Sequence, residues 1–249
     1  MARLNVNRVR LQERRRMLKF ERKYSSRIYN ALENSVSPVL KNTDADIDER
    51  ALNNVFVQMY EEVGIDFAKS NYRFMESLKK AEMSFFLDSW ASWIRNFALT
   101  ELASKVTEIN NTTREKIRKV IADSLDEGIT VRSEIAKKIR EKTLGAVGRR
   151  RSRMIARTEI ANAGNEGKKR SAEDWSEESG QELYKLWIAG GSKENRETHL
   201  EVDDGIPIPA NSQWNVGGEM MDRPHDPSAS AENVINCSCV VVYVNESYV

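Results

Sequence analysis

Apolar residues recur at three- and four-residue steps over most of the first half of the chain, the spacing that lines one face of an α-helix. Leu52, Val55, Phe56, Met59, Tyr60 and Val63 define one such face, and Phe86, Trp90, Trp93, Ile94, Phe97, Leu102 and Val106 a second, heavier one. Helical spacing makes that aromatic stripe core material before it is a stacking platform for bases. Leu4, Leu11, Leu18 and Leu32 stand on a seven-residue ladder, with Ser25 at the missing rung and Tyr24 and Ile28 beside it. This thinner stripe predicts a basic first helix over 3–34 that ends at Ser35, Ser37 and Pro38. Such a stripe suits packing on a partner or nucleic acid better than entry into a core, the alternative being an arm docked on its own domain.

The acid-rich run 44–49 puts negative charge at the N-terminus of the next helix. Thr112 with Glu115 reads as a capping box that opens a helix through Ile117, Val120, Ile121 and Leu125, closed by Gly128. Thr130 then caps another with Val131, Ile135 and Ile139 inward. Gly145 and Gly148 bracket a break before a new helix, and the domain boundary is expected there: a helical region 1–145 and a second domain 146–249. Beyond about residue 180 the pattern shortens. The runs 182–189 and 237–244 read as strands, and Gly190-Gly191, Asp204-Gly205, Pro207, Pro209, Gly217-Gly218, Pro224 and Pro227 mark turns between them. The expected class is α+β and predominantly α-helical, with long amphipathic N-terminal helices followed by a small loop-rich α+β domain.

Charge sharpens this division. The 39 basic and 38 acidic residues nearly cancel, yet their distribution is uneven. Residues 1–30 carry ten Lys and Arg against Glu13 and Glu21, whereas from residue 171 four basic residues face fifteen acidic ones. Basic segments of this kind bind phosphates without sequence preference or pair with an acidic protein. The candidates are Arg8, Arg10, Arg14, Arg15, Arg16, Arg22 and Lys23 on the first helix and Arg149, Arg150, Arg151 and Arg153 at the boundary. Self-association through the first helix is a third use of the same face. The N-terminus lacks the continuous apolar stretch of a secretion signal. The window around Phe85–Leu102 is interrupted by Asp88, Arg95 and Glu101, so no membrane span is expected.

The two cysteines, Cys237 and Cys239, are too close in sequence for an ordinary disulfide with each other. They read as reduced thiols or as metal ligands. Residues two apart on a strand face the same way, so both sulfurs could meet one ion, with His199 and His225 completing a Cys2His or Cys2His2 site suited to Zn2+. Without zinc, His199 would anchor the Asp203-Asp204-Gly205 turn. No other cofactor is expected, because phosphate-loop, dinucleotide, H-E-x-x-H and G-x-S-x-G motifs are missing from the sequence.

A set of landmarks runs in order from residue 128 to 242. A helical Ile155-Ala156-Arg157-Thr158-Glu159 is followed by Ala161, then Trp187, Arg196 and His199, and Gly205. The Pro224-His225-Asp226-Pro227 turn comes next, and Asn233-Val234-Ile235-Asn236-Cys237-Ser238-Cys239 closes the block. In this order they resemble the Mu-F-like head-morphogenesis family of tailed phages, with departures from its usual pattern at Asn195, His225 and Ser238. The resemblance implies a minor capsid protein that works with the portal or major capsid protein in head assembly, DNA packaging or delivery. It implies residence in the virion, at the portal vertex or head interior, and in host cytoplasm during assembly. It also implies a structural role rather than an enzymatic one.

Arg157 and Glu159 stand two apart on a helix and cannot share a face. The preferred reading makes them staples, Arg157 toward the 196–204 loop and Glu159 toward Arg196 or a loop amide. The rival reading makes Glu159 a general base, with Arg157 or Arg196 binding an anionic nucleotide, as in a transferase or nuclease. A free, non-specific DNA-binding module is a third reading.

Overall fold

Asn5 opens the first helix, its Oδ1 accepting the Arg8 amide at 3.0 Å and so capping a donor that has no partner inside the helix. The computed structural model describes residues 5–43, 45–76, 86–190 and 195–248. The expectations placed on Leu4, Asp44, Phe85, Gly191 and the side chain of Leu102 therefore lie outside the described residues. The long helices are α1 (Val6–Lys41), α2 (Arg50–Glu76), α3 (Leu87–Asp126), α4 (Arg132–Thr143) and α5 (Gly145–Ser179). Then come β1 (Leu183–Ile188), α6 (Glu197–Glu201), β2 (Ile208–Pro209), β3 (Trp214–Val216), β4 (Glu219–Met221), α7 (Ala231–Val234) and β5 (Val240–Asn245). The class is α+β and mainly α, long helices first and a small loop-rich region after them.

β1 is the central strand of an antiparallel sheet ordered β2-β1-β5, with Leu186 opposite Val242 and Trp187 opposite Val241. β3 and β4 form a separate hairpin. Its turn uses Gly217 and Gly218 at φ 61° and 91°, a left-handed pair that matches the twist of the flanking strands.

The described residues form two compact units, one drawn from 1–21, 59–96 and 157–249, the other from 22–58 and 97–156. These interleave along the chain and so differ from the consecutive segments 1–145 and 146–249. Leu144 alone separates α4 from α5, and Gly145, at φ 63°, opens α5. In the first unit α5 is central, and every residue from 159 to 168 is buried. A Cβ on Gly167 would stand 2.1 Å from the Gly64 carbonyl oxygen, so α2 and α5 meet at backbone contact. Around them Tyr72, Trp90, Trp175, Trp187, Trp214, Met221, Val241 and Tyr243 form one apolar cluster. Each such large side chain, fully buried, contributes roughly 1.5–3 kcal/mol. In the second unit Val36, Val39, Ile47, Ile117, Ile135, Ile139 and Leu144 make the core.

Several expected elements change. α1 continues through Pro38 to Lys41, and the Asn42 amide still bonds the Pro38 carbonyl at 2.9 Å. The proline has no N–H for the carbonyl four residues back, and α1 ends within one turn of it. The leucine ladder is only partly buried: Leu11 and Leu18 are 49% and 38% exposed, while Leu32 and the neighbouring Tyr24 and Ile28 are buried together with Met17 and Phe20. The first helix therefore enters core packing, with Phe20 against Phe67 in the first unit. Thr112 opens nothing, because α3 runs unbroken and its hydroxyl bonds back to the Glu108 carbonyl. Gly128 does close α3 at φ 78°, with the Ile129 amide on the Ser124 carbonyl. Thr130 is not a cap. Val131 holds that position with no side-chain bond and is exposed, whereas Ile135 and Ile139 are buried. Trp93 is half-exposed and donates to Glu166 instead of entering the core. Among the described residues no helix is long and apolar enough to cross a membrane.

Candidate functional site

Cys237 and Cys239 lie on the extended segment just before β5, so they are not ladder residues, but the alternation expected of a strand still turns both sulfurs one way. α6 brings His199 to them. Its Nδ1 is 3.5 Å from each sulfur, and the three donor atoms all lie within 4.8 Å of one another in a buried position. Asn233 holds the ring from behind. Its amide nitrogen donates to the Val216 carbonyl, which turns its Oδ1 toward His199 Nε2 at 3.3 Å. An amide oxygen only accepts, so Nε2 carries the proton and the Nδ1 lone pair faces the sulfurs. Trp187 packs edge-on against His199, ring centroids 5.4 Å apart.

The Cys239 amide donates to the Cys237 sulfur at 3.3 Å. The Cys237 thiol is pulled well below the ordinary thiol range, first by its hydrogen bond with Cys239 and, against burial, by His199 and His225. Cys239 is pushed well above that range by the same bond and by burial, opposed by the Gly190 amide and the Trp187 indole. His225 stands beside the cluster, at φ 60°, its Nε2 3.2 Å from the Cys237 carbonyl oxygen. That contact makes Nε2 a donor to the backbone. His199 does not anchor the 203–205 turn, where Asp203 pairs instead with Arg10 at 2.5 Å, Asp204 accepts the Ile206 amide, and Gly205 takes φ 76°.

The arginine landmarks converge on one turn. Arg196 donates to the Ile235 carbonyl at 2.8 Å, Arg157 to Asn236 Oδ1 at 3.1 Å, and Thr158 Oγ1 accepts the Asn236 amide at 2.8 Å. Asn236 is left-handed at φ 62°, a conformation such contacts hold in place. Arg157 also pairs with Glu21, not with the 196–204 loop. Glu159 faces elsewhere: it is buried and accepts from Tyr60, whose hydroxyl is bonded in turn by Asn162. The structure therefore joins Arg157 and Arg196 through the 235–236 turn and sets Glu159 apart from that turn.

Three buried polar residues that sequence reasoning passed over complete the frame. Asn165 donates to the carbonyls of Pro224 and Cys239, each at 3.1 Å, and accepts the Val241 amide at 2.9 Å. Lys168 reaches the Val241 carbonyl and Glu13, and burial pushes its pKa down. Arg223 spans Glu166, Asn162 and the carbonyls of Pro224 and His225. Asp226 accepts the Asp222 and Ser228 amides, folding the 222–228 turn. Asn233 was legible within the closing block, but Lys168 and Arg223 carry no single-sequence signal, since both types are ordinarily exposed.

The basic candidates divide. Arg10, Arg16 and Arg151 are committed inside the fold, to Asp203, to Asp66, and to Thr113 with the Ile109 carbonyl. Arg8, Arg14 and Arg15 are exposed in the first unit; Arg22, Lys23, Arg149, Arg150 and Arg153 are exposed in the second, with Lys23 over Tyr24 and Arg149 over Tyr29. Arg15, Arg16, Lys19, Lys69 and Arg73 line a groove of about 660 Å3 in the first unit, together with Glu13 and Asp66.

Comparison with known proteins bears on residues 115–242, which match the family model described as Phage Mu protein F like protein. The chain is 24% identical over 159 residues to an uncharacterized protein, YqbB, of Bacillus subtilis strain 168, covering 63% of this chain and 48% of that protein. It thus spans about half the length of that relative. No solved structure matches. The family match extends over slightly more than half of the chain and takes in the Arg157, Arg196, His199 and Cys237–Cys239 framework, so this chain belongs to the Phage Mu protein F like family.

Proposed function

We propose that this chain is a structural minor head protein of a tailed phage, bound in the virion to the portal or capsid protein. The observation that carries this reading is the use of the family-matched polar residues. Arg157, Thr158 and Arg196 are spent on fixing the 235–236 turn, and Glu159 on Tyr60. Side chains committed to the fold build a rigid surface for assembly. The exposed arginines of α1 add a phosphate-binding face for packaged double-stranded DNA.

Mass spectrometry of gradient-purified particles from a phage encoding this chain tests the proposal. The chain should co-purify with DNA-filled heads at a fixed low copy number, and its absence from them would overturn the reading. The DNA arm has its own test with the full chain. Replacing Arg8, Arg14 and Arg15 with Gln should lower the slope of log affinity against log salt by about 0.9 for each phosphate no longer neutralised. An unchanged slope would assign that face to a protein partner.

A further inference from the structure

We infer that His199, Cys237 and Cys239 form a zinc site that ties α6 to the segment entering β5. The spacing is that of a metal centre. Zinc bonds of about 2.3 Å to sulfur and 2.0–2.1 Å to nitrogen, at tetrahedral angles, set each sulfur about 3.5 Å from the nitrogen. His199 Nδ1 stands at 3.5 Å from both sulfurs. Free thiols account for this poorly. Nδ1 offers one lone pair and so takes one S–H at most, yet both sulfurs stand at the same distance from it.

The surroundings are those of ligands in their metal-binding forms. Asn233 fixes the tautomer that leaves Nδ1 unprotonated, as partners behind metal-bound histidines do. The Cys239 amide donates to the Cys237 sulfur. The Trp187 indole, in a side chain 1% exposed, packs edge-on against His199 and lies on the Cys239 side of the cluster. Two sulfurs and the unprotonated nitrogen of one imidazole, all within 4.8 Å of one another and buried, make a ready ligand set for a single cation. Two soft sulfurs and one nitrogen select Zn2+ over Mg2+ or Ca2+. The described residues supply three ligands, leaving the fourth position to water. His225 positions the Cys237 backbone and is not a ligand.

The test uses the purified full chain. Elemental analysis should find about one zinc per chain, and a thiol-blocking mercurial should release it to a colorimetric chelator. Metal-stripped chain should take up Co2+ with a thiolate charge-transfer band that added Zn2+ abolishes. Cys237→Ser, Cys239→Ser and His199→Ala should each lose the metal, and His225→Ala should keep it. Should the single variants fail to fold, the cobalt spectrum of the unaltered chain still decides. Folded chain that purifies without zinc and takes up neither Zn2+ nor Co2+ would overturn the site, and loss of zinc from His225→Ala would overturn the three-ligand assignment.

Discussion

The two units hold themselves together by different means. In the second, from 22–58 and 97–156, most of the backbone is helical, and the core is mainly aliphatic, with Tyr24 and Phe56 also buried. Its buried hydroxyls, Ser35, Thr113, Ser124, Thr143 and Ser152, bond back to the carbonyl four residues earlier, and Thr113 also accepts from Arg151. The first unit carries long irregular segments between short strands. There Asn165, Lys168, Arg223 and Asp226 act in place of a ladder, reaching carbonyls and amides that have no regular partner. Irregular backbone can be buried only where something supplies its hydrogen bonds, and here polar side chains do so.

The largest expected effect follows from that contrast. Asn165→Ala removes the partner of the Cys239 carbonyl and the Val241 amide, the Pro224 carbonyl keeping its bond from Arg223, and should cost about 4 kcal/mol by urea unfolding, at about 1–3 kcal/mol for each unpaired group. Asn165→Leu, which restores volume but no hydrogen bonds, should recover little of it. A full recovery would break the comparison. In the second unit the dependence should be on volume. Ile139→Ala should cost about 3 kcal/mol and Ile139→Val only about 1 kcal/mol.

A pH effect should follow from Asp222. Burial alone would raise its pKa, but hydrogen bonds from Lys169 and Lys185 outweigh burial and hold it below the ordinary value. A depressed carboxyl stabilises the fold above its unfolded pKa, about 3.9, and that contribution is lost as pH falls through the lower folded value. The advantage of the unaltered chain over Asp222→Asn, read from unfolding midpoints, should therefore be constant near neutrality and shrink below about pH 4. Asp203, which burial raises, is common to both proteins and cancels. The smallest effects belong to Ser124→Ala and Leu11→Ser, each within about 0.5 kcal/mol; a large loss at Leu11 would mean that the exposed ladder is a core element after all.

Much of this was legible in the sequence wherever periodicity carries the information. Ile135 and Ile139, the closure at Gly128, the strands and the ordered landmarks are all local patterns. The first helix offered two interleaved stripes, and the sevenfold leucine spacing drew in the exposed Leu11 and Leu18 while masking the buried Met17 and Phe20. Thr112 and Glu115 fit a helix start, but a threonine inside a continuing helix can bond its own previous turn, and the sequence pattern is the same. α5 has almost no apolar face because it is buried nearly all round. Its small residues Ala161, Ala163, Gly164 and Gly167 were the available sign of close backbone approach. At the site, residue types identified the histidine and cysteines. Their distances, and the roles of Asn233 and Asn165, depend on long-range packing that no local pattern encodes.

Polar side chains make the irregular segments of the first unit as firm as its helices. Amide hydrogen exchange on the folded chain tests it most directly, read at Asp222, Ser228, Asn236, Cys239 and Val241, whose amides are bonded to Asp226, Thr158, Cys237 and Asn165 side chains. The account predicts protection close to that of the buried turns of α5, with Val241 losing it in Asn165→Ala. Exchange at those amides as fast as in an open loop, with α5 still protected, would contradict it.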